Sequence, residues 1–210
     1  MKNVIFDLDG TLVDSLAGIE QAVGAAIIEV MPEVKALPNL RDVIGPPISV
    51  MFTKLWPGLA GLQIQRLVAS FRSHYLAESC LRSIPFPSVP ETLLRLHSRS
   101  FQLFVLTNKP AAPTRKILDH LGMSRFFAAA LSPDSTHPAF PSKSDGARHL
   151  TNSFCLEPAE TILIGDGVDD MAAAESCGFG FIAAAYGYGA ADATAERRIE
   201  KFSEIEDLLL

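Results

Sequence analysis

The stretch NVIFDLDGT, residues 3–11, decides how this chain folds. Its first part, Asn3–Phe6, is a short apolar run without polar alternation, which is typical of a strand buried on both faces of a parallel sheet. Asp7, Asp9 and Gly10 follow at once, so two acidic groups and a turn signal come directly after the strand. We therefore expect a buried strand whose carboxyl end carries two carboxylates.

Further apolar runs of the same kind follow along the chain and alternate with helical patterns. The predicted strands are Gln102–Leu106, 128–131, 161–164 and 178–183. Apolar residues at helical spacing predict connecting helices over 114–121, over about 142–153 and after Asp166. Strands that alternate with helices are typical of an α/β fold with a parallel sheet.

The stretch between Gly10 and Thr107 breaks this rhythm, because it is about three times as long as an ordinary crossover unit of roughly 30 residues. Within it, Leu16–Val30 and residues 62–81 are apolar at helical spacing. We interpret residues 15–85 as an inserted helical cap domain, with residues 1–14 and 86–210 forming the α/β core. The alternative is one compact domain with a long decorated connection.

The composition excludes several classes of protein. The chain has 210 residues and a net charge of −6, which disfavours binding to nucleic acid or to an anionic membrane surface. No apolar run reaches the roughly 18 residues that a membrane span needs. The three cysteines are too scattered for a disulfide framework or a CxxC metal site. We expect a cytoplasmic protein, either a monomer or a homodimer.

Polar residues follow the carboxyl ends of the predicted strands, where ligands bind in open parallel sheets. Asp7 and Asp9 follow the first strand, Thr107 and Asn108 the second, and the stretch GDGVDD at 165–170 the fourth, while Lys143 stands at the predicted start of a helix. Each alone could be a turn, a helix cap or a solvated charge. Their joint placement predicts one shared site.

Four of these residues are carboxylates that the predicted fold brings towards one crevice: Asp7, Asp9, Asp166 and Asp170. Two like charges about 4 Å apart repel each other by about 4 kcal/mol at an effective dielectric constant near 20, so the cluster needs a cation. The available ligands are oxygens, without histidine or cysteine at metal-ligand spacing, which favours Mg²⁺.

Carboxylates beside Mg²⁺ and a lysine favour phosphoryl transfer from a small phosphorylated metabolite. Asp7 would attack the phosphorus, and Lys143 and Mg²⁺ would offset the repulsion between the two anions. Thr107 and Asn108 would donate hydrogen bonds to the phosphoryl oxygens. Asp9 would protonate the leaving oxygen and then take a proton from the attacking water.

These residues resemble the motifs of the haloacid dehalogenase superfamily of phosphohydrolases, and the resemblance covers nearly the whole chain. The first motif appears as DLDGTL at 7–12, the second as VLTNKP at 105–110 and the fourth as GDGVDD at 165–170. The third motif differs, because many relatives have Lys-Pro where this chain has PSKS at 141–144. The resemblance implies a doubly wound (Rossmann-like) core with a helical cap inserted after the first motif.

The resemblance also implies a role for each matched residue. Asp7 is implied to be the nucleophile that becomes an aspartyl phosphate, and Asp9 the general acid and base, whose backbone carbonyl binds the metal. The implied Mg²⁺ ligands are Asp7, Asp9, Asp166 and Asp170, the last directly or through water. The implied substrate-binding residues are Gly10, Thr107, Asn108 and Lys143. Lys109 is the alternative to Lys143 as the lysine that stabilises the phosphate.

Three stretches resemble phosphoglycolate phosphatase-like members: TNKP at 107–110, GPP at 45–47 and YGYG at 186–189. Phosphoglycolate is therefore the first candidate substrate, and a sugar phosphate or a nucleotide monophosphate is the alternative. A phosphomutase is less favoured, because residues 12–21 lack the cap histidine of that branch and Ile48 stands where its arginine is expected. A non-catalytic phosphate-binding relative and a receiver module are the remaining alternatives.

Overall fold

The predicted first strand lies at the centre of a six-stranded parallel sheet in the computed structural model, which describes residues 2–189 and 195–209. The sheet strands are β1 (Asn3–Phe6), β4 (Gln102–Leu106), β5 (Phe127–Leu131), β6 (Thr161–Gly165), β7 (Gly180–Ala184) and β8 (Arg198–Ile199). They are ordered β5-β4-β1-β6-β7-β8. The predicted core ranges include residues 1, 190–194 and 210, which lie outside the described part of the chain.

Helices cover both faces of this sheet, which is why β1 is continuously apolar. Val4 and Phe6 pack on one side with α4 (Val89–Ser98), α5 (Ala111–His120) and α8 (Ile205–Leu209). Ile5 packs on the opposite side with α6 (Lys143–Phe154) and α7 (Val168–Cys177). The predicted doubly wound α/β fold with a parallel sheet is confirmed.

The long stretch after β1 folds as the predicted helical insertion. Its helices are α1 (Leu16–Val30), α2 (Ile48–Leu55) and α3 (Gly61–Ala77). Phe52 and Phe71 are buried between them, with their ring centroids 6.1 Å apart. The predicted helix over 62–81 is too long, since α3 ends at Ala77 and a short 3₁₀ helix, Ser79–Arg82, follows. No helix among residues 2–189 and 195–209 is both long and apolar enough to cross a bilayer.

A two-stranded antiparallel ribbon, β2 (Val13–Asp14) with β3 (Ile84–Pro85), stands at the two ends of the insertion. The sequence does not predict it, because two-residue strands show no periodicity and proline lacks a backbone N–H for a ladder. Each strand of the ribbon ends at a predicted domain boundary, 14/15 or 85/86, and these boundaries themselves stay a prediction.

Three sheet strands differ from the predicted bounds, one of them only at its end, since the strand predicted at 161–164 extends to Gly165. The strand predicted at 178–183 is Gly180–Ala184, because Gly178 ends α7 in a left-handed conformation with φ +69°. The strand predicted at 128–131 begins one residue earlier, at Phe127. The edge strand β8 is not predicted from the sequence, because two residues are too few to show the hydrophobic pattern of a strand.

Candidate active site

The site lies where β1, β4 and β6 end side by side. Asp7 directly follows β1, and its backbone N–H donates to Ile164 O in β6 at 2.9 Å. Thr107 directly follows β4, and its N–H donates to Leu131 O in β5 at 3.0 Å. The parallel strand ladder itself therefore holds Asp7 and Thr107 at the same edge of the sheet.

Asp7, Asp166 and Asp170 form a buried acidic cluster in which one carboxylate oxygen from each lies within 4.8 Å of the others. The donor set consists of carboxylate oxygens, which suits a hard divalent cation. Asp170 Oδ1 is shielded from solvent and makes no hydrogen bond of good geometry, although the Lys143 ammonium is near. The residues present therefore fit a metal ion.

Lys143 inserts its ammonium group between two of these carboxylates. Its Nζ lies 2.5 Å from Asp7 Oδ1 and 2.6 Å from Asp170 Oδ1. Lys143 is placed there by the start of α6, where the Ser142 hydroxyl caps the helix by accepting from the N–H of Asp145. Burial alone would lower the pKa of Lys143, but Asp170 and Asp7 outweigh it and hold this pKa above its ordinary value.

The carboxyl groups of this cluster hold their protons unusually strongly in the absence of a metal. Burial raises the pKa of Asp7 to about 7, Asp170 and Asp9 add to the rise, and Lys143 opposes it. Burial also raises the pKa of Asp166 to about 6, with a further rise from Asp7. A divalent cation would relieve this repulsion, because it favours the ionised form of each carboxylate.

The stretch 186–189 surrounds Asp166 with backbone groups. The N–H groups of Tyr188 and Gly189 donate to Asp166 Oδ2 at 2.7 and 2.9 Å. A Cβ on Gly187 would lie 2.3 Å from Asp166 Cβ, and one on Gly10, whose φ is +88°, would lie 2.2 Å from Asp166 Oδ2. Both positions therefore require glycine.

The same stretch contacts the start of the cap. The Tyr188 hydroxyl accepts from the N–H of Ser15 at 2.8 Å and donates to Asp14 Oδ1. The Tyr186 hydroxyl donates to Thr11 O at 2.8 Å. Sequence reasoning assigned no role to these tyrosines, and the alternation of Tyr and Gly at 186–189 is the one signal that marks the stretch.

Lys109 pairs with Asp9 rather than with Asp7. Its Nζ lies 2.9 Å from Asp9 Oδ1 and donates to the Tyr75 hydroxyl at 2.6 Å. The structure thus brings the two lysines that the sequence left as alternatives to different carboxylates. Sequence reasoning missed Tyr75, whose helical spacing within α3 marks it only as an apolar position.

The remaining predicted substrate-binding residues have different surroundings. Thr107 is buried, and its Oγ1 accepts from the N–H of Lys109 at 3.1 Å. Asn108 Nδ2 donates to Asp169 Oδ2 at 3.2 Å. Gly10 lies against Asp166, and its N–H donates to Val13 O at 3.0 Å. Gly10 is thus engaged in the turn that supports the acidic cluster.

A cavity of about 550 Å³ opens in front of Asp7 and Asp9. Thr107, Asn108 and Lys109 also line it. Most of its remaining wall is apolar and comes from both the cap and the core, through side chains such as Ile44, Met51, Phe71, Tyr75 and Phe140. The cavity therefore offers one acidic end and a wide apolar region.

Comparison with known proteins agrees with this geometry. The chain is 31% identical over 194 residues to a 5'-nucleotidase of Pseudomonas aeruginosa, with 90% of this chain and 85% of that protein covered. It is 31% identical over 188 residues to a phosphoglycolate phosphatase of Aquifex aeolicus, with 90% and 86% covered. A haloacid dehalogenase-like hydrolase from Streptococcus pneumoniae superimposes with a TM-score of 0.89 at 27% identity, over 100% of this chain and 99% of that one.

The predicted superfamily and enzyme class, a hydrolase of phosphate monoesters, are confirmed by these similarities. Residues 4–184 match the sequence profile of the haloacid dehalogenase-like hydrolases, a span that includes every predicted site residue. The chain belongs to the haloacid dehalogenase-like hydrolase family.

Proposed function

We propose that this protein is a Mg²⁺-dependent phosphatase that hydrolyses a small phosphate monoester through an aspartyl phosphate on Asp7. One observation carries the proposal. Asp7 belongs to the buried acidic cluster, lies 2.5 Å from the Lys143 ammonium and also lines the cavity. A nucleophile between the acidic cluster and the cavity can reach the phosphoryl group of a substrate bound in the cavity. A cation and a lysine beside it offset the negative charge of the phosphoryl group.

In the first step, a carboxylate oxygen of Asp7 attacks phosphorus and the bond from phosphorus to the ester oxygen breaks. Asp9, which also borders the cavity, donates a proton to the leaving oxygen, so that an alcohol departs. Lys143 stabilises the charge that builds up on the transferring group. The products of this step are the free alcohol and the acyl phosphate of Asp7.

In the second step, water attacks the phosphorus of the acyl phosphate. Asp9 takes the proton from that water, and the Asp7 carboxylate leaves, so that inorganic phosphate is released and both carboxyl groups return to their starting state. Thr107 and Asn108, which line the cavity beside Asp7, bind the phosphoryl oxygens in both steps. When bound at Asp7, Asp166, Asp170 and the backbone carbonyl of Asp9, Mg²⁺ supplies charge neutralisation of the phosphoryl group.

Phosphoglycolate is the first candidate substrate, because a relative with that named activity is 31% identical over 90% of this chain. A nucleoside monophosphate is the second candidate, supported by the relative named a 5'-nucleotidase. The cavity favours the second candidate on size, since about 550 Å³ with apolar walls exceeds what glycolate fills.

The test is a phosphate-release assay on a panel of phosphoglycolate, nucleoside monophosphates, sugar phosphates and an aryl phosphate, with Mg²⁺ or with chelator. We expect turnover that requires Mg²⁺ and falls by about 10⁴-fold or more in Asp7→Asn. Asp119→Asn, at an exposed position on α5, is the matched control and should retain turnover. Wild-type activity that survives Asp7→Asn would refute the nucleophile.

A further inference from the structure

We propose that Lys109 and Tyr75 are positioning residues that act through Asp9, so that a tyrosine of the cap holds the general acid of the core in its working orientation. The proposal rests on the proposed function, because it assigns Asp9 the proton transfer to the leaving oxygen. It adds Tyr75, which lies outside the matched motifs, a positioning role for Lys109, and a physical link between cap and core.

The contact between Lys109 and Asp9 fixes one side of the Asp9 carboxylate. Asp9 Oδ1 is shielded from solvent, and the Lys109 ammonium lies 2.9 Å from it. The side chain of Asp9 is nevertheless 14% exposed, and Asp9 borders the cavity. Holding a carboxylate through one oxygen in this way restricts its rotation, and general acid catalysis depends on the orientation of the acid.

Tyr75 fixes the other side of the Lys109 ammonium. The Tyr75 hydroxyl accepts a hydrogen bond from Lys109 Nζ at 2.6 Å, and the ring centroid lies 4.5 Å from the same nitrogen. The ring is itself held by stacking on Phe71, with centroids 5.1 Å apart. The ammonium group therefore has an anionic partner from the core and an aromatic partner from the cap.

Burial makes this arrangement sensitive to the loss of either partner. Lys109 and Tyr75 are both at least nine-tenths buried, so neither group can exchange its partner for bulk water without moving. A buried ammonium group is costly unless it is paired and hydrogen-bonded. When α3 docks, Tyr75 completes the surroundings of Lys109, and Lys109 in turn holds Asp9.

The readout that separates positioning of a general acid from a structural role is the dependence on the leaving group. 4-Nitrophenyl phosphate and 4-methylphenyl phosphate have similar shapes, but the nitrophenolate departs readily without a proton, whereas the methylphenolate needs one. We expect the ratio of kcat/KM, methyl over nitro, to fall about tenfold in Tyr75→Phe and further in Lys109→Met. The value of kcat/KM reports the first step, transfer to Asp7, and in that step only the methylphenyl ester needs a proton from Asp9.

Two controls make the result specific. Lys116 also bridges core and cap, since its Nζ donates to Leu76 O and Ala77 O, each at 2.8 Å, and Lys116→Met should leave the ratio unchanged. In an Asp9→Asn background, Tyr75→Phe should lower the ratio no further, because both changes remove the same proton transfer.

The outcomes separate the two proposals. If the wild type with Mg²⁺ hydrolyses neither these esters nor any other member of the panel, both the proposed function and the positioning role are overturned. If the wild type is active and Tyr75→Phe and Lys109→Met slow both esters equally, only the positioning role is overturned. A ratio that falls in Tyr75→Phe alike with and without Asp9 also overturns it, because Tyr75 would then act by another route.

Discussion

The backbone N–H of Tyr188 donates to Asp166 Oδ2 at 2.7 Å, while the hydroxyl of the same tyrosine contacts Asp14 and the N–H of Ser15 at the start of the cap. One residue thus touches both the acidic cluster and the start of the inserted helices at Asp14 and Ser15, which we call the hinge. The aromatic ring of Tyr188 also contacts the guanidinium group of Arg41 in the cap, whose Cζ lies 5.2 Å from the ring centroid. Local changes in 186–189 should therefore affect the metal site and the cap separately.

Gly187→Ala should weaken Mg²⁺ binding. The added methyl group would lie 2.3 Å from Asp166 Cβ and 2.4 Å from Gly10 O, so Asp166 and the stretch 186–189 cannot keep their present contact. Disturbing the support of a metal ligand costs about 10- to 100-fold in metal affinity, which a Mg²⁺ titration of turnover measures. Gly61→Ala, where nothing lies within 4 Å of the added atom, is the control. Equal Mg²⁺ requirements in the two variants would contradict the account.

Tyr188→Phe should loosen the hinge and leave the acidic cluster intact. The change removes the hydroxyl that accepts from Ser15 N–H and donates to Asp14, but it keeps the backbone N–H on Asp166. We expect a loss of about 1 kcal/mol in the free energy of unfolding and faster hydrogen exchange of the Ser15 and Leu16 amides. An unchanged exchange rate at these amides would show that the hydroxyl does not hold the hinge.

The stabilisation by Mg²⁺ should depend on pH. Burial raises the pKa of Asp7 to about 7 and that of Asp166 to about 6 from 3.8, so both groups stabilise the metal-free fold at low pH. That stabilisation is complete below 3.8 and is lost as the pH rises through about 6 and 7. The proposed Mg²⁺ would compete with these protons and would compensate for the repulsion between the carboxylates once the protons are gone.

The upward shift of Tm on adding Mg²⁺ should therefore be small near about pH 5 and large near about pH 8. Thermal unfolding with and without Mg²⁺ at the two pH values measures it. Asp7→Asn removes one of the carboxyl groups whose pKa is raised and should flatten the pH dependence. A Tm shift of the same size at both pH values would contradict the assigned metal site.

Substitution of Lys143 and substitution of Lys109 should have different effects on phosphate binding. Lys143 lies 2.5 Å from Asp7, where the proposed mechanism places the phosphoryl group, whereas Lys109 lies against Asp9 and Tyr75. Lys143→Met should weaken competitive inhibition by inorganic phosphate on the order of 10²-fold. Lys109→Met should change that inhibition constant far less. Should the Lys109 variant show the larger loss, the alternative assignment of the phosphate-binding lysine is correct.

The sequence predicts the part of the site that depends on strand ends. Buried parallel strands appear in the sequence as continuous apolar runs, and their carboxyl ends meet at one edge of the sheet. The sequence alone therefore predicts that Asp7, Thr107 and Asp166 lie close together. The sequence also predicts the helical insertion, because this stretch is longer than an ordinary crossover unit and its apolar residues recur at helical spacing. These features follow from local pattern and topology alone.

The parts that escaped prediction depend on how separate pieces dock. Tyr75 reaches Lys109 only because α3 lies over the sheet edge at a particular angle, which apolar periodicity does not define. Tyr188 reaches Asp166 and Asp14 from positions 22 and 174 residues away in the chain. The strands of the ribbon, Val13–Asp14 and Ile84–Pro85, are too short to show the alternation of apolar and polar residues that predicts a strand.

The stereochemical course at phosphorus tests the covalent role of Asp7 most directly. A thiophosphate monoester made chiral at phosphorus with oxygen isotopes is hydrolysed by the wild-type enzyme in isotopically labelled water, and the configuration of the product is determined. Attack by Asp7 followed by attack of water inverts the phosphorus twice, so net retention is the expected result. Net inversion would show a single displacement by water and would contradict the aspartyl phosphate.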